Sequence, residues 1–561
     1  MREIHKKYLS TFICFVLLIL SITSTLIFNA KNPILSISEA ATASNRITKN
    51  GTGLFLNGQV FRFFGANLYW LGLDENSKDA NNVTIIDYPT KFRIDDAMQT
   101  AKEMGVTVIR SQTLGVSTGC AKCIEPTLNQ FNDAAFDSID YAIKSASENG
   151  IHLMIPLTDQ WNFYHGGKHN FTDWRGISDP DQFHINTQVI QDFKNYLSHL
   201  LNHVNKYTGI ALKDDPTIMV WETGNELYTV NGNLWSESWT DGIAAYVKSL
   251  SPNTLVADGR IGNSEGSHLL DQSLNNPNID IMGVHHYPMK INDLQIDMNK
   301  VTSHNKVFVI GEYDWTNTKG GDSLSSYLNF IEQNNVTGDI FWSLMPHDDR
   351  RGFIKHNDGF TLNYPGITQD MKIRSEFLRT HGYKMQNKTT PNHIIPTTPL
   401  ITSITKSYNG IGYNIIWRGS VGANNYNIER SSDNINWQTV GSNVNDTDFD
   451  LPPYSDQSAT GTNIYYYRIV GVNIDGVKGN YSLTQTTDGQ TLTITPGVTT
   501  TVSTTTCTKR LQGDINCDGT IDQSDFTSWK QYFLNKNLSG DINNDGKIDL
   551  IDFETWRKFL S

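Results

Sequence analysis

The chain has 561 residues, of which 38% are hydrophobic and 18% charged, and its formal net charge is −13. This composition is typical of globular proteins, and the length suggests about three or four domains. The acidic balance disfavours nucleic-acid binding, which needs a basic face, and five Cys residues exclude a disulfide scaffold of this size.

The N-terminal residues 1–43 are predicted to be a secretory signal peptide. Basic residues are followed by a mostly apolar run from Tyr8 to Phe28, and small residues around Ala41 to Ala43 offer cleavage sites. A retained membrane anchor is the alternative, because the run is nearly long enough to span a bilayer. The cleavage sites favour export and removal, so we expect the mature protein to be secreted and extracellular.

Residues 46–385 alternate strand-like apolar runs with amphipathic helical stretches, and they are predicted to form an α/β barrel of the (β/α)₈, or TIM, type. An open, doubly wound sheet is the alternative, although the glycine-rich dinucleotide fingerprint is absent after the first strand. The predicted strands are residues 61–65, 106–110, 152–156, 218–222, 254–257, 281–285, 307–312 and 339–342. The clearest predicted helices are residues 94–103, 136–148, 189–205 and 324–332.

The pattern changes after the predicted barrel. A polar, Pro-punctuated linker is predicted at residues 386–399, and residues 400–493 show short alternating strands without helical patterns, which predicts an all-β sandwich. Trp417, the strand from Tyr426 to Arg430 and a late Tyr-rich strand resemble those of a fibronectin type III domain. A second, Thr-rich linker at residues 494–509 is not expected to pack.

The last segment, residues 510–561, contains an internal repeat. The stretch from Asp514 to Asp525 recurs from Asp541 to Asp552, with oxygen-bearing side chains at loop positions 1, 3, 5, 9 and 12 and Gly at position 6. Hard cations such as Ca²⁺ need several such oxygens. Two copies in register favour calcium loops over solvated turns. The predicted metal-binding residues are Asp514, Asn516, Asp518, Thr520, Asp522, Asp525, Asp541, Asn543, Asp545, Lys547, Asp549 and Asp552.

These loops differ from EF-hands, because position 12 is Asp and the repeat is too short for an entering helix in each copy. Two such half-hands, each followed by a helical pattern, resemble a type I dockerin. The resemblance implies a small α-helical module that holds two Ca²⁺ ions and binds a cohesin module of a scaffoldin, which makes the protein a cellulosome component.

Two carboxylates lie where a barrel places its catalytic groups. Glu226 follows the fourth predicted strand, and Glu312 ends the seventh. The carboxyl ends of barrel strands meet at one face, so these residues can face each other. A pair of carboxyl groups about 5–5.5 Å apart performs retaining glycoside hydrolysis. A lone Glu at a strand end is more often a surface or salt-bridged residue, and it is the motif around the two glutamates that favours catalysis.

With their neighbours, these residues resemble glycoside hydrolase family 5. The resemblance covers residues 46–385 and implies six roles: Arg110 contacts the nucleophile, Asn225 binds the sugar 2-hydroxyl, Glu226 is the acid/base, His285 and Tyr287 form the sixth-strand His-x-Tyr, Glu312 is the nucleophile, and Trp342 is the platform for a sugar ring. We expect a raised pKa at Glu226 and an ionised Glu312 held by Arg110 and Tyr287. Glu222 is interpreted as structural, and Asp314 as a pocket polar group.

The substrate is predicted from two segments. Many cellulases of the family carry a His after the third strand, whereas residues 157–161 have none and end in Trp161. This stretch and the segment from Asn67 to Trp70 resemble the β-mannanase branch, which implies substrate contacts at Trp70 and Trp161. The predicted function is endo-β-1,4-mannanase action on plant cell-wall β-mannan, without a cofactor for catalysis.

Three alternatives to this function remain open. A β-1,4-glucanase and an exo-acting β-mannosidase belong to the same family. A non-catalytic carbohydrate-binding or adhesion protein belongs to another class, although such a protein would need only the aromatic residues and not both glutamates.

The cysteines add little to the functional prediction. Cys120 and Cys123 have the CxxC spacing but no second pair, so zinc is disfavoured. They are interpreted as a local disulfide or as two loop thiols. Cys507 precedes the first calcium loop and Cys517 lies within it, and their spacing of ten residues allows a bridge.

Overall fold

A computed structural model describes most of the chain up to residue 492. It covers residues 46–79, 83–229, 237–259, 269, 271–407, 410–446, 453–460 and 463–492, together with residues 525, 529, 542, 552, 553 and 556 near the C-terminus. The chain divides into two compact units, residues 1–493 and 494–561. The predicted signal peptide and most of the predicted calcium loops lie outside the described residues.

Thirteen strands are described before residue 342. In chain order they are β1 (Ile47–Asn50), β2 (Gly53–Leu56), β3 (Gln59–Phe61), β4 (Phe63–Asn67), β5 (Asp74–Lys78), β6 (Thr84–Asp87), β7 (Val108–Arg110), β8 (His152–Pro156), β9 (Ile218–Glu222), β10 (Leu255–Asp258), β11 (Ile281–His286), β12 (Val307–Tyr313) and β13 (Gly338–Phe341).

The helices of the same region follow the barrel strands. They are α1 (Lys91–Glu103), α2 (Phe136–Asn149), α3 (Lys168–Asp173), α4 (Thr187–Asn202), α5 (Glu237–Leu250), α6 (Asp271–Asn275), α7 (Ile291–Ser303), α8 (Leu324–Gln333) and α9 (Gln369–Met385). None of the helices in the described part of the chain has the length and apolar character needed to cross a membrane.

Eight parallel strands close into a barrel, in the order β4, β7, β8, β9, β10, β11, β12, β13 and back to β4. Each corresponds to one of the eight strands predicted from the sequence, so the (β/α)₈ prediction is confirmed. The open-sheet alternative is wrong, because β13 pairs in parallel with β4 through Gly338 and Phe63. The strands are buried on both faces, which explains their near-continuous apolar sequences.

Residues 400–492 form two antiparallel sheets. One contains β14 (Leu400–Lys406), β15 (Tyr413–Arg418) and β18 (Tyr454–Asp456); the other contains β16 (Asn425–Ser431), β17 (Gln438–Val444), β19 (Tyr466–Val472), β20 (Lys478–Tyr481), β21 (Thr484–Thr486) and β22 (Thr491–Leu492). Apolar residues of both sheets share one core around Trp417 and Tyr426. This is the predicted β-sandwich, and its fibronectin type III character stays a prediction.

The second unit is described only in part. Trp529, Phe553 and Trp556 pack together with Ile542, and Asp525 and Asp552 are buried. These aromatic residues belong to the helical patterns that were predicted to follow the two loops.

Candidate active site

The candidate site lies at the carboxyl ends of the barrel strands. Arg110 is the last residue of β7 and Glu222 the last of β9, while His285 and Glu312 lie near the ends of β11 and β12. Asn225 follows β9 in the next loop. Because all barrel strands run in the same direction, residues far apart in the sequence meet at this rim.

Arg110 is the hub of the site and is fully buried. Its Nε and Nη2 donate to Glu222 at 2.8 and 3.2 Å, Nη1 donates to Glu312 Oε1 at 2.8 Å, and Nη2 also donates to Asn225 Oδ1 at 2.8 Å. Burial lowers the pKa of the guanidinium, but Glu222 and Glu312 outweigh burial and raise the pKa of Arg110. A buried cation is tolerated here because two carboxylates neutralise it.

Glu222 is structural, as predicted from the sequence. Both of its carboxylate oxygens accept hydrogen bonds from Arg110, and the side chain is buried. It therefore orients the guanidinium toward Glu312. Asn67, at the end of β4, adds a second support, since its Oδ1 lies 3.3 Å from Arg110 Nη1 and its amide donates to the Gly311 carbonyl at 3.0 Å.

The loop after β9 turns Glu226 toward the barrel axis. Asn225 N donates to the Thr158 carbonyl at 2.7 Å, and Leu227 N donates to the Gly259 carbonyl at 3.0 Å. Glu226 between them has φ of 51°, in the left-handed region that is uncommon for a residue with a side chain. Such backbone conformations cost about 1–3 kcal/mol and concentrate at functional sites.

Glu226 and Glu312 face each other across the site. Together with His285 they form a group in which one carboxylate oxygen from each glutamate and a ring nitrogen lie within 4.8 Å of one another. His285 Nδ1 is 2.7 Å from Glu226 Oε1 and 3.6 Å from Glu312 Oε2. Tyr287 donates its hydroxyl to Glu312 Oε2 at 3.1 Å, and Trp161 donates its indole N–H to Glu226 Oε2 at 2.6 Å.

The pKa values of the two glutamates differ from the expectation. Burial would raise the pKa of Glu226, but hydrogen bonds from His285 and Trp161 outweigh burial and lower it. Burial and the neighbouring Glu226 carboxylate raise the pKa of Glu312 to about 7, despite His285 and Arg110. The expectation of a raised pKa at Glu226 is therefore wrong, because His285 lies closer to Glu226 than to Glu312. Glu312, which was expected to be ionised, has Arg110 and Tyr287 as partners but also a raised pKa.

The pKa of the partner of Glu226, His285, shifts in the opposite direction. Burial lowers the pKa of His285, but Glu312 and Glu226 outweigh burial and raise it. A carboxylate hydrogen-bonded to an imidazolium holds as many protons as a carboxylic acid beside a neutral imidazole. The pair Glu226–His285 therefore titrates as a unit and can supply one proton.

A cavity of about 350 Å³ opens beside these residues. Trp342 and Tyr69 stack at a centroid distance of 5.7 Å, and Trp342 donates its indole N–H to Asp358. His356 Nδ1 lies 2.9 Å from Asp358 Oδ2, and Tyr69 donates to Glu75 at 2.9 Å. The lining residues are Tyr69, Glu75, Gln112, Asp159, Phe163, Tyr164, His165, Asn225, Trp342, His356, Asn357 and Asp358.

Two predicted site residues occupy other places. Trp70 is buried in the barrel core and is not among the residues that line the cavity, whereas its neighbour Tyr69, which is also buried, lines it. Asp314 is also buried, and its carboxylate accepts the backbone N–H groups of Thr316 and Lys319 at 2.9 and 2.8 Å. It therefore shapes the turn after β12 and is not a pocket group.

Several residues of the site have no role in the sequence prediction. Asn67 and Asp159 lie inside segments singled out for their resemblance, and Asp159 Oδ1 accepts from the Asn225 amide at 3.1 Å. Polar residues directly after predicted strands are the signal that points to both. His356 and Asp358 lie on the long connection between β13 and α9, where no periodic pattern marks them.

Of the twelve predicted calcium ligands, only Asp525 and Asp552 lie within the described residues. Both are buried, and Asp552 Oδ1 accepts the backbone N–H of Ile542 at 2.8 Å. The other ten lie outside the described residues, as do Cys507 and Cys517.

In the barrel, Cys120 and Cys123 form a disulfide, which settles the two alternatives left by their spacing.

Comparison with known families identifies two regions. The family model described as GH family 5 beta-mannosidase-like matches residues 44–319, and the dockerin type I domain matches residues 512–561. The chain therefore contains a glycoside hydrolase family 5 mannosidase-like domain and a type I dockerin domain, and both resemblances are confirmed.

Curated relatives carry mannanase names. A putative mannan endo-1,4-beta-mannosidase P of Arabidopsis thaliana is 32% identical over 40% of this chain and 54% of its own length. Mannan endo-1,4-beta-mannosidase 1 of Solanum lycopersicum is 26% identical over 56% of this chain and 87% of its own length. For the first of these, the chain thus spans about half the length of the relative.

Solved structures give a further similarity. An endo-1,4-beta-D-mannanase from Thermotoga petrophila superposes with a TM-score of 0.48 and 24% identity, covering 57% of this chain and 99% of that protein.

Proposed function

We propose that the chain is a secreted, retaining endo-β-1,4-mannanase that degrades plant mannans as a cellulosome component. The observation that carries the proposal is the approach of Glu226 and Glu312, whose carboxylate oxygens lie within 4.8 Å at the barrel rim. Retaining glycosidases place their two carboxyl groups about 5–5.5 Å apart, whereas inverting enzymes leave about 6.5–9.5 Å for a water molecule.

In the first step, the Glu312 carboxylate attacks the anomeric carbon and forms a glycosyl–enzyme ester. The bond from that carbon to the glycosidic oxygen breaks, and Glu226 delivers the proton held by the Glu226–His285 pair to the departing oxygen. Arg110 and Tyr287 hold the attacking carboxylate from two sides. Asn225, held by Arg110 and Asp159, is positioned to bind the sugar 2-hydroxyl.

In the second step, water attacks the anomeric carbon from the opposite side of the ester bond. The Glu226–His285 pair, which lost one proton in the first step, takes a proton back from that water through Glu226, and Glu312 leaves as a carboxylate. The two displacements restore the starting configuration at the anomeric carbon. Trp342 offers its ring face to the sugar, and Trp161, 38% exposed, offers another aromatic surface beside Glu226.

Mannan is the favoured substrate because the relatives are named mannan endo-1,4-beta-mannosidases and the matching family model is mannosidase-like. The absence of His from residues 157–161 supports the same choice over a glucanase. The test compares initial rates of reducing-sugar release from galactomannan, glucomannan, carboxymethyl cellulose and xylan. Faster hydrolysis of the mannans is expected, and a preference for carboxymethyl cellulose would return the protein to the glucanase alternative.

Catalysis is tested by single isosteric substitutions. Glu312→Gln and Glu226→Gln are each expected to lower kcat on mannan by a factor of about 10³ or more, because each removes a group that acts only in the transition state. Asp314→Asn, a turn carboxylate outside the cavity, is the matched control and should keep wild-type activity. Wild-type activity of Glu226→Gln on the polymer would remove Glu226 from the acid/base role.

The dockerin is proposed to attach the enzyme to a cohesin in a calcium-dependent way. Asp525 and Asp552 are two of the acidic loop residues, and clustered carboxylates repel until a cation neutralises them. Calorimetry with a cohesin should show binding in Ca²⁺ and none in EDTA, while hydrolysis of soluble mannan continues in both. Undiminished cohesin binding by the metal-free protein would contradict this attachment.

A further inference from the structure

The long connection between β13 and α9, residues 342–368, links the candidate active site to the β-sandwich. Near its start and its middle it carries Trp342, His356 and Asp358, which line the cavity. Between them it carries His347, which faces away from the cavity toward the sandwich. The connection therefore lines the active-site cavity with some of its residues and contacts the β-sandwich with another.

His347 contacts a carboxylate of the barrel on one side and a carboxylate of the sandwich on the other. Its backbone N–H donates to Asp96 Oδ2 of α1 at 2.9 Å, and its Nδ1 lies 2.9 Å from Asp96 Oδ1. Its Nε2 lies 3.2 Å from Oδ2 of Asp446, the carboxylate just after β17 of the sandwich. All three side chains are buried, so the imidazole spans the domain boundary without intervening solvent.

The charge of His347 makes this a three-charge contact. Burial lowers its pKa, but Asp96 and Asp446 outweigh burial and raise the pKa of His347 to about 10. The ring is therefore a cation between two anions at neutral pH. The contact of His347 with Asp446 is an ion pair, and removal of one partner of a buried ion pair leaves the other charge uncompensated.

Asp446, the sandwich partner of His347, is itself held in place. The hydroxyl of Tyr426 donates to Asp446 Oδ2 and accepts from the backbone N–H of Ser420 at 2.8 Å. Gly419 allows the close approach of the domains, because a Cβ at this position would lie 2.2 Å from His347 Cδ2. Asp446 is thus held by the core of its own domain.

Other contacts follow the same boundary. Thr402 of β14 donates to the Arg350 carbonyl of the connection at 2.9 Å, and the Arg418 guanidinium lies 3.7 Å from the ring centroid of Phe92. Lys372 of α9 donates to Asn424 of the sandwich at 2.7 Å. The first of these contacts reaches the connection itself, and the other two hold the sandwich against α1 and α9.

We propose that the β-sandwich is a positioning element of the active site, and that Asp446 and His347 fix the connection that carries Trp342, His356 and Asp358. Asp446 and His347 are positioning residues, since they act on the sugar through that connection. The proposal rests on the hydrolase function proposed above. If the sandwich served only as a spacer before the dockerin, its boundary contacts would have no effect on substrate binding.

The test uses the full chain with Asp446→Ala, Asp446→Asn and the matched control Asp456→Ala. Asp456 is also a buried, ion-paired carboxylate of the sandwich, but its partners Arg430 and Tyr467 belong to the same domain. For Asp446→Ala we expect KM for mannan oligosaccharides to rise about fivefold with kcat within about twofold, because a displaced platform loses sugar binding.

Asp446→Asn keeps an acceptor for Tyr426 and should recover part of the loss; it carries the test if Asp446→Ala does not fold. Asp456→Ala should lower the melting temperature while leaving KM unchanged below it. A wild-type KM in Asp446→Ala, or an equal rise in KM in Asp456→Ala, would overturn the proposal.

Amide hydrogen exchange gives a readout that does not depend on the substrate. In Asp446→Ala, exchange should become faster across residues 342–368, whereas Asp456→Ala should leave that segment protected. If no polysaccharide is cleaved but this pattern appears, the proposed function fails and the mechanical link to the cavity stands. If mannan is cleaved and exchange in the segment is unchanged, the positioning role fails alone.

Discussion

Two regions of the molecule each depend on a buried cation held by two carboxylates. At the barrel rim, Arg110 joins Glu222 to Glu312, and every partner belongs to a barrel strand or the loop directly after it. At the domain boundary, His347 joins Asp96 of the barrel to Asp446 of the sandwich. The same electrostatic arrangement therefore serves the chemistry in one region and the placement of a supporting segment in the other.

The difference lies in what each cation holds. Arg110 contacts the proposed nucleophile directly, so its loss should damage the reaction itself. His347 acts on the cavity only through the connection between β13 and α9, so its loss should weaken sugar binding and stability. Substitutions at Arg110 and at His347 should therefore differ in their effects on kcat, on KM and on the pH dependence of both activity and stability.

The largest effect is expected at the rim. Arg110→Lys keeps the charge but cannot reach Glu222 and Glu312 together, so we expect kcat/KM to fall by about 10²-fold or more. The free energy of unfolding should fall by about 3–5 kcal/mol, as for other broken buried ion pairs. Enzyme kinetics and thermal unfolding measure the two effects.

The control for this substitution is Arg379→Lys. Arg379 is also buried and ion-paired, with Glu103 at 3.1 Å, but it joins α9 to α1 outside the cavity. It should lose stability without losing kcat/KM at temperatures well below unfolding. Equal losses of activity in both variants would mean that the rim arginine has only a structural role.

The pH dependence of kcat/KM tests the raised pKa of Glu312. The nucleophile must be ionised, and its pKa is raised to about 7, so kcat/KM should fall as the pH drops through about 7 and not at the ordinary value of a Glu. Tyr287→Phe removes a hydrogen bond to the ionised carboxylate, which should raise the pKa of Glu312 further and move this acid limb to higher pH.

Tyr313→Phe removes a comparable hydroxyl from β12, where it donates to Asp339 at 3.0 Å, and serves as the control. Its acid limb should coincide with that of the wild type. An acid limb of the wild type near pH 4.5, the ordinary range of a Glu side chain, would contradict the raised pKa of Glu312.

The smallest effect is expected at the domain boundary, in alkaline stability. The pKa of His347 is raised to about 10, so its contribution is complete below the unfolded value near 6.5 and is lost progressively as the pH rises to about 10. The melting temperature of the wild type should decrease over this range. His381, whose pKa is raised to about 9 by Asp339 and Glu332 despite burial, contributes in the same direction.

His347→Gln removes the contribution of His347 to alkaline stability and leaves that of His381. Its melting temperature should be lower at pH 7, by a few degrees, but should decrease less steeply toward pH 10 than that of the wild type. Identical slopes for the two proteins would contradict a charged His347 at the boundary.

The contrast also explains what the sequence could predict. Glu226 and Glu312 could be placed because each follows or ends a strand-like run, and parallel strand ends in a barrel meet at one rim. Arg110, Asn225 and His285 were predicted through the resemblance to glycoside hydrolase family 5. The place of Trp70 could not be predicted, since the path of the loop after β4 decides which residue of the pair Tyr69–Trp70 lines the cavity.

The His347–Asp446 contact joins two domains separated by a linker, and no local pattern encodes how they meet. The order of the two glutamate pKa values also escaped prediction. It depends on His285 lying 2.7 Å from Glu226 but 3.6 Å from Glu312, a distance difference that residue types alone do not reveal.

The proposed double displacement by Glu226 and Glu312 can be followed by proton NMR. The first products released from mannohexaose are recorded before mutarotation. The new reducing ends should appear as β-anomers, with the configuration of the cleaved bond retained, and should convert slowly to the α-form. Initial appearance of α-anomers would show inversion and would contradict a glutamate nucleophile at position 312.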